Sequence, residues 1–176
     1  NDYEITADPE DADVVIVNTC GFIEPAKEES IETILEASRL KERGRCKAVV
    51  VTGCLSTRYE KELKQEMSGD ADLILTLREE RDIVRHVDQL LGRTRGHYVD
   101  TVPRTSLTPT HWAYLRISDG CDHKCAFCAI PTIRGRHVSE SMEDLVAEAQ
   151  RLAANGVREL VLVAQDSVRY GVDLYG

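Results

Sequence analysis

The sequence predicts an α/β protein in two parts, a doubly wound parallel sheet followed by a second strand–helix–strand unit. Three observations predict it. Short β-branched runs, "VVIV" at 14–17 and "VVV" at 49–51, each lead into a helical segment. The same alternation continues through "ADLILTL" at 71–77, and it resumes after residue 111 with "WAYLRIS". Strands alternating with helices are the mark of parallel sheets covered by helices.

The elements follow in order. Val14–Val17 reads as a buried strand ending in Asn-Thr-Cys-Gly. "EPAKEESIETILEASRLKERG" follows, with Ile31, Ile34, Leu35 and Ala37 near helical spacing and Gly44 as a stop signal. Its many carboxylates read as a solvated face. The second strand, Val49–Val51, ends in Thr-Gly-Cys; "TRYEKELKQEMSG" is helical, 71–77 a third strand and "EERDIVRHVDQLLG" an amphipathic helix. Residues 93–111 hold two Pro and five Thr with little periodicity, which is linker composition. The expected division is therefore 1–92, a linker at 93–111, and 112–176. In the last part "SESMEDLVAEAQRLAANG" reads as a helix started by Ser139 or Ser141 and ended by Gly156, with "VRELVLVAQDS" the next strand.

Composition narrows the function. The 176 residues are 42% hydrophobic, which suits a packed core, and no apolar run approaches the roughly 20 residues needed to cross a bilayer, so no membrane role is expected. The start lacks the basic and apolar regions of a signal peptide, and it begins without Met, so the chain reads as part of a longer protein. A formal net charge of −9 gives no basic face for gripping phosphates and favours a protein or small-molecule substrate. With no secretory signal, six cysteines point to metal binding in a reducing, cytoplasmic setting.

Cysteine placement carries the chemistry. Cys20 and Cys54 each follow a strand, so both emerge at the carboxyl edge of the sheet, where open α/β folds gather ligands. Cys46 precedes its strand and belongs to the opposite edge. Cys121, Cys125 and Cys128 are spaced C-x-x-x-C-x-x-C. Structural zinc wants four ligands, usually from two knuckles, and His123 would make a crowded fourth. Three thiolates suit a cubane iron–sulfur cluster, leaving one iron open to a substrate or cofactor.

With Phe127 just before its last cysteine, this loop resembles that of the radical S-adenosylmethionine (SAM) superfamily. The resemblance implies the first units of a TIM-like barrel, and a [4Fe–4S] cluster whose open iron chelates SAM and cleaves it to a 5′-deoxyadenosyl radical. "NTCGFI", "VTGCLS" and "GCDHKCAFCAIPTIRGRHVS" together resemble the methylthiotransferases. That implies a second [4Fe–4S] cluster on Cys20, Cys54 and a cysteine upstream of the residues present. It also implies a second SAM as methyl donor, the two clusters facing one another across the substrate. "LVAQDSVRYGVDLYG" is most similar to the branch that adds a methylthio group to the β-carbon of an aspartate in a small-subunit ribosomal protein. The alternatives are a tRNA adenosine methylthiotransferase and a non-enzymatic iron–sulfur or zinc protein. The family further implies a flavodoxin-like reductant and contact with the ribosome or its RNA through a further C-terminal domain.

Other residues are weighed beside these. Gln165 and Asp166 end the second strand of the last part, where barrel sites form; contact with SAM or substrate is expected, though Asp166 could equally cap the next turn. Phe127 is expected beside the cluster and the adenine, and Arg134 or Arg136 near a carboxylate. Tyr114 and Arg116 share one strand face, Leu115 and Ile117 the other, and one pair points into the barrel. His86, His97, His111 and His137 are expected at the surface.

Overall fold

The computed structural model describes residues 3–95 and 109–176. Most of the stretch read as a linker, 96–108, therefore lies outside the described residues, as does His97. The chain divides into two compact units, Asn1–Asp100 and Thr101–Gly176.

In the first unit β1 (Val14–Thr19), β2 (Ala48–Gly53) and β3 (Leu73–Ile74) form a parallel sheet in the order β1-β2-β3. Right-handed crossovers that step twice in one direction leave their helices on the same face of a sheet. Accordingly Ile34 and Ala37 of α1 (Glu24–Arg43) share a core with Leu63 of α3 (Glu60–Glu66), and both pack on Val17, Val49 and Val51. The opposite face, Val50 with Leu75, is covered by Val87 of α4 (Ile83–Leu90). Helices on both faces explain why β2 is apolar at consecutive positions. Val49, Val50 and Val51 are each 0% exposed, and each such burial stabilises by about 1.5–3 kcal/mol.

Local chemistry differs from the sequence reading at two points. The segment after β2 is two helices, α2 (Cys54–Arg58) and α3, separated by Tyr59 at φ −124°, ψ 39°. Cys54 is thus the first residue of a helix rather than part of a turn before it. The third strand shortens to Leu73–Ile74, because Thr76 is turned by Glu79, whose Oε2 accepts from the Thr76 amide and hydroxyl at 2.8 Å each.

A buried carboxylate ties the start of the unit to its end. Asp88, fully buried on α4, accepts from the Tyr3 hydroxyl at 2.7 Å and from Arg95 Nε. Burial, then the hydrogen bond to Asp88, raises the Tyr3 pKa above its ordinary value.

In the second unit β4 (Trp112–Arg116) and β7 (Glu159–Val163) pair in parallel around α6 (Met142–Ala154). Leu115 and Ile117 pack on Leu145 of α6, so Tyr114 and Arg116 take the other strand face, the one a barrel of this kind turns inward. Ser141, not Ser139, caps α6: its hydroxyl accepts from the Asp144 amide at 3.1 Å and donates to the Asp144 carboxylate at 2.7 Å. Ser139 lies instead in β6 (Val138–Ser139), an antiparallel bridge to β5 (Ser118–Asp119). Between them the cysteine loop runs into α5 (Ile130–Ile133).

Candidate metal centres

The carboxyl edge of the first sheet is set by strand register. Thr19 pairs with Gly53, so the next residues, Cys20 and Cys54, leave neighbouring strands side by side. Gly53 makes this approach possible: its φ is +107°, and a Cβ there would stand 2.4 Å from the Thr19 carbonyl oxygen. A Cβ on Gly21 would stand 2.9 Å from the Leu55 backbone, so the loop after β1 also presses on the start of α2.

Hydrogen bonds then hold this edge. The Cys20 amide donates to Ser30 Oγ at 3.0 Å, and the Ser30 hydroxyl donates to the Ala26 carbonyl at 2.7 Å. The Thr19 hydroxyl donates to the Thr52 carbonyl at 2.6 Å, and Arg58 Nη1 donates to the Gly21 carbonyl at 2.8 Å. The Ser56 hydroxyl, 0% exposed, reaches the Leu75 carbonyl at 2.7 Å. Cys20 is exposed and Cys54 buried. Cys46 is buried in the α1 side of the core with its thiol 3.4 Å from the Ala48 carbonyl oxygen, away from this edge. Ser30 was invisible to sequence reasoning, because it sits in a helix that reads as a solvated acidic face.

In the second unit the loop begins at Gly120, φ +75°, where a Cβ would lie 2.1 Å from the Arg136 carbonyl oxygen. The Gly120 amide donates to Gln165 Oε1 at 2.8 Å, which joins the loop to the end of β7. The Cys121 amide donates to the Gly135 carbonyl at 3.2 Å and the Cys128 amide to the Cys125 carbonyl at 3.1 Å. Asp122 staples the far side: its Oδ1 accepts from the His137 amide at 3.2 Å and faces Arg136 Nε at 3.7 Å, while Arg169 lies 3.9 Å from Oδ2. No disulfide joins any of the six cysteines.

The remaining predicted residues fall as follows. Cys125 is exposed, and Cys121 and Cys128 are partly covered. Phe127 is 94% exposed, covered by no neighbouring side chain. Arg136 is 93% exposed, whereas Arg134 turns back to Asp119, Nη1 standing 3.4 Å from both carboxylate oxygens. Asp166 does not cap the following turn with its side chain. His137 is a correction. It is 7% exposed rather than at the surface, with Nε2 3.2 Å from Ser139 Oγ and 3.9 Å from Asp173. His123, set aside in sequence as a crowded ligand, comes together with Cys121 and Asp166: one donor atom of each lies within 4.8 Å of the others.

Among the described residues no helix is long and apolar enough to cross a membrane. Residues 1–76 match the family described as uncharacterized protein family UPF0004, and residues 115–173 match the radical SAM superfamily. Among curated proteins, the chain is 48% identical over 100% of its length to the ribosomal protein uS12 methylthiotransferase RimO of Desulforamulus reducens, covering 41% of that protein. It is 52% identical over 97% of its length to the protein of that name from a Sulfurihydrogenibium species, covering 38%. The chain thus spans about two-fifths of the length of the curated relatives it matches. Among solved structures, the fold is similar to a radical S-adenosylmethionine methyltransferase, TsrM, from Kitasatospora setae, with TM-score 0.57 and 14% identity over 92% of this chain and 37% of that one. The two matched regions lie in that order along the chain, and its similarity to the proteins of that name runs over its whole length.

Proposed function

We propose that the protein to which this chain belongs is a radical SAM methylthiotransferase that modifies an aspartate β-carbon in a small-subunit ribosomal protein, in the cytoplasm. The observation that carries this reading is identity of 48% and 52% to proteins named as uS12 methylthiotransferases. Those names concern the ribosomal protein and not tRNA, so the tRNA alternative gains no support from them.

In this reading Cys121, Cys125 and Cys128 hold the [4Fe–4S] cluster that binds SAM. Their donor chemistry fits: they are soft ligands, and three thiolates leave one iron of a cubane open. Their sulfurs do not form a set within 4.8 Å of one another among the described residues. Cys20 and Cys54 belong to a second cluster, supported by their in-register exit from β1 and β2. When bound, the clusters and SAM supply one-electron chemistry and the sulfur and methyl groups, while the protein supplies binding and orientation.

The chain's own part is positioning. Gly120 and Gln165 bring the loop against the end of β7. Phe127, with an exposed ring, offers an apolar surface for the adenine. Arg136 offers an exposed cation for a carboxylate of SAM or substrate. A flavodoxin-like reductant and a ribosomal contact outside these residues complete the proposal.

The test is anaerobic reconstitution of the full-length protein with iron and sulfide, followed by iron counting and EPR of the reduced form with and without SAM. About eight irons per chain, four for each cubane, and a SAM-dependent change in one of two signals are expected. One zinc and no response to SAM would overturn the reading.

A further inference from the structure

The cysteine loop carries a second donor set that uses only one of its three thiols. Cys121 Sγ, His123 Nε2 and Asp166 Oδ2 all lie within 4.8 Å of one another. The carboxylate is built in rather than incidental: the Asp166 side chain is only 10% exposed. His123 Nε2 stands 2.9 Å from Asp166 Oδ2, yet the contact lacks hydrogen-bond geometry, and that buried oxygen has no hydrogen-bond partner. A buried carboxylate oxygen left without a hydrogen bond costs free energy, more so when the group is charged. A cation between the three atoms removes that cost. Donors held at about 2.0–2.3 Å by one tetrahedral ion stand about 3.5 Å apart, so the set reaches that geometry with shifts on the order of 1 Å.

We propose that Cys121, His123 and Asp166 form a mononuclear site for a divalent metal of the zinc class, which the loop holds when no cluster is bound. One thiolate, one imidazole and one carboxylate leave a fourth position open to water. Cys125 and Cys128 take no part. The site ties the start of the loop to the end of β7, so it orders the loop in the absence of the cluster. Given the reading that Cys121 is a cluster ligand, the two occupants exclude one another.

The test uses the full-length protein, stripped of iron under anaerobic conditions, with Cys20, Cys46 and Cys54 replaced by Ala so that their thiols cannot compete. Co²⁺ is titrated and followed by absorption. One Co²⁺ per chain is expected, with a thiolate-to-metal charge-transfer band. Cys121→Ser should remove that band, and His123→Ala or Asp166→Asn should each weaken binding at least tenfold. The double variant Cys125→Ser/Cys128→Ser should bind as tightly as its parent. Loss of binding in that double variant, or unchanged binding in His123→Ala, would overturn the proposal. Zinc-edge X-ray absorption of the protein loaded with one Zn²⁺ gives a reading that does not depend on variants within the loop. One sulfur with nitrogen and oxygen neighbours supports the site, and two or more sulfurs sink it. Zn²⁺ should also slow cluster reconstitution, an effect His123→Ala relieves. If the cobalt results hold but zinc leaves reconstitution unchanged, the metal site stands and the role of Cys121 in the cluster falls.

Discussion

Gly53–Cys54 and Gly120–Cys121 use the same backbone device in different surroundings. Each places a glycine at positive φ immediately before a cysteine, and each glycine lies too close to a carbonyl oxygen to accept a side chain. At Gly53 the neighbour is Thr19, in the ladder of a three-stranded sheet whose central strand is wholly buried. At Gly120 the neighbour is Arg136, in a connection that carries only short elements, β5, α5 and β6. The first cysteine is therefore placed by the core, and the second by a handful of hydrogen bonds.

Paired substitutions break this comparison most sharply. Gly53→Ala forces a side chain into the β1–β2 ladder and should destabilise the first unit by about 3 kcal/mol. Gly120→Ala adds a similar clash in a loop that can yield, at about 1–2 kcal/mol, while displacing Cys121. Amide hydrogen exchange resolved by segment would separate the two. Equal loss of protection in both units would remove the distinction.

Asp88→Ala sharpens the contrast from the other side. It removes a fully buried carboxylate from Tyr3 and Arg95. A loss of about 2–3 kcal/mol is expected in denaturant unfolding, with iron binding at Cys121, Cys125 and Cys128 unchanged.

The smallest effect is a pH dependence in the second unit. Asp173 accepts from the Ser139 amide at 2.8 Å, and the hydrogen bonds from Ser139 hold its carboxyl below the ordinary value, with a further contribution from His137. A carboxyl depressed in the folded state stabilises fully above its unfolded value, near 4, and that contribution is lost as pH falls through the folded value. Protection of the 137–139 amides relative to their intrinsic exchange rates should therefore fall as pH drops below about 4. Asp173→Asn should show fast exchange already at neutral pH and little further change on acidification. A variant that keeps the wild-type pH profile would exclude Asp173 as the cause.

Much of the fold was legible because it depends on patterns one strand or helix long. "VVIV", "VVV" and the helical spacing of Ile34 and Ala37 mark parallel strands and their covering helices, and the carboxyl-edge placement of Cys20 and Cys54 follows from strand ends alone. What was missed depends on partners distant in sequence. The shortened β3 is the local exception, since Glu79 turns Thr76 from three residues away. Ser30 looks like any polar residue in an acidic helix until the Cys20 amide arrives to donate to it. His137 is polar in sequence and buried in fact, because Ser139 and Asp173 close over it from separate elements.

The sequence by itself determined the class of the fold, the C-x-x-x-C-x-x-C loop and the order of the two regions, since periodicity and ligand spacing are local properties of a chain. Only the tertiary structure decided which distant groups share a site. It set Cys20 beside Cys54 through ladder register, tied Gln165 to Gly120, and brought Asp166 to Cys121 and His123 across more than forty residues. Such meetings depend on how strands pair and loops close, and the free energy that enforces them is spread over the whole buried core.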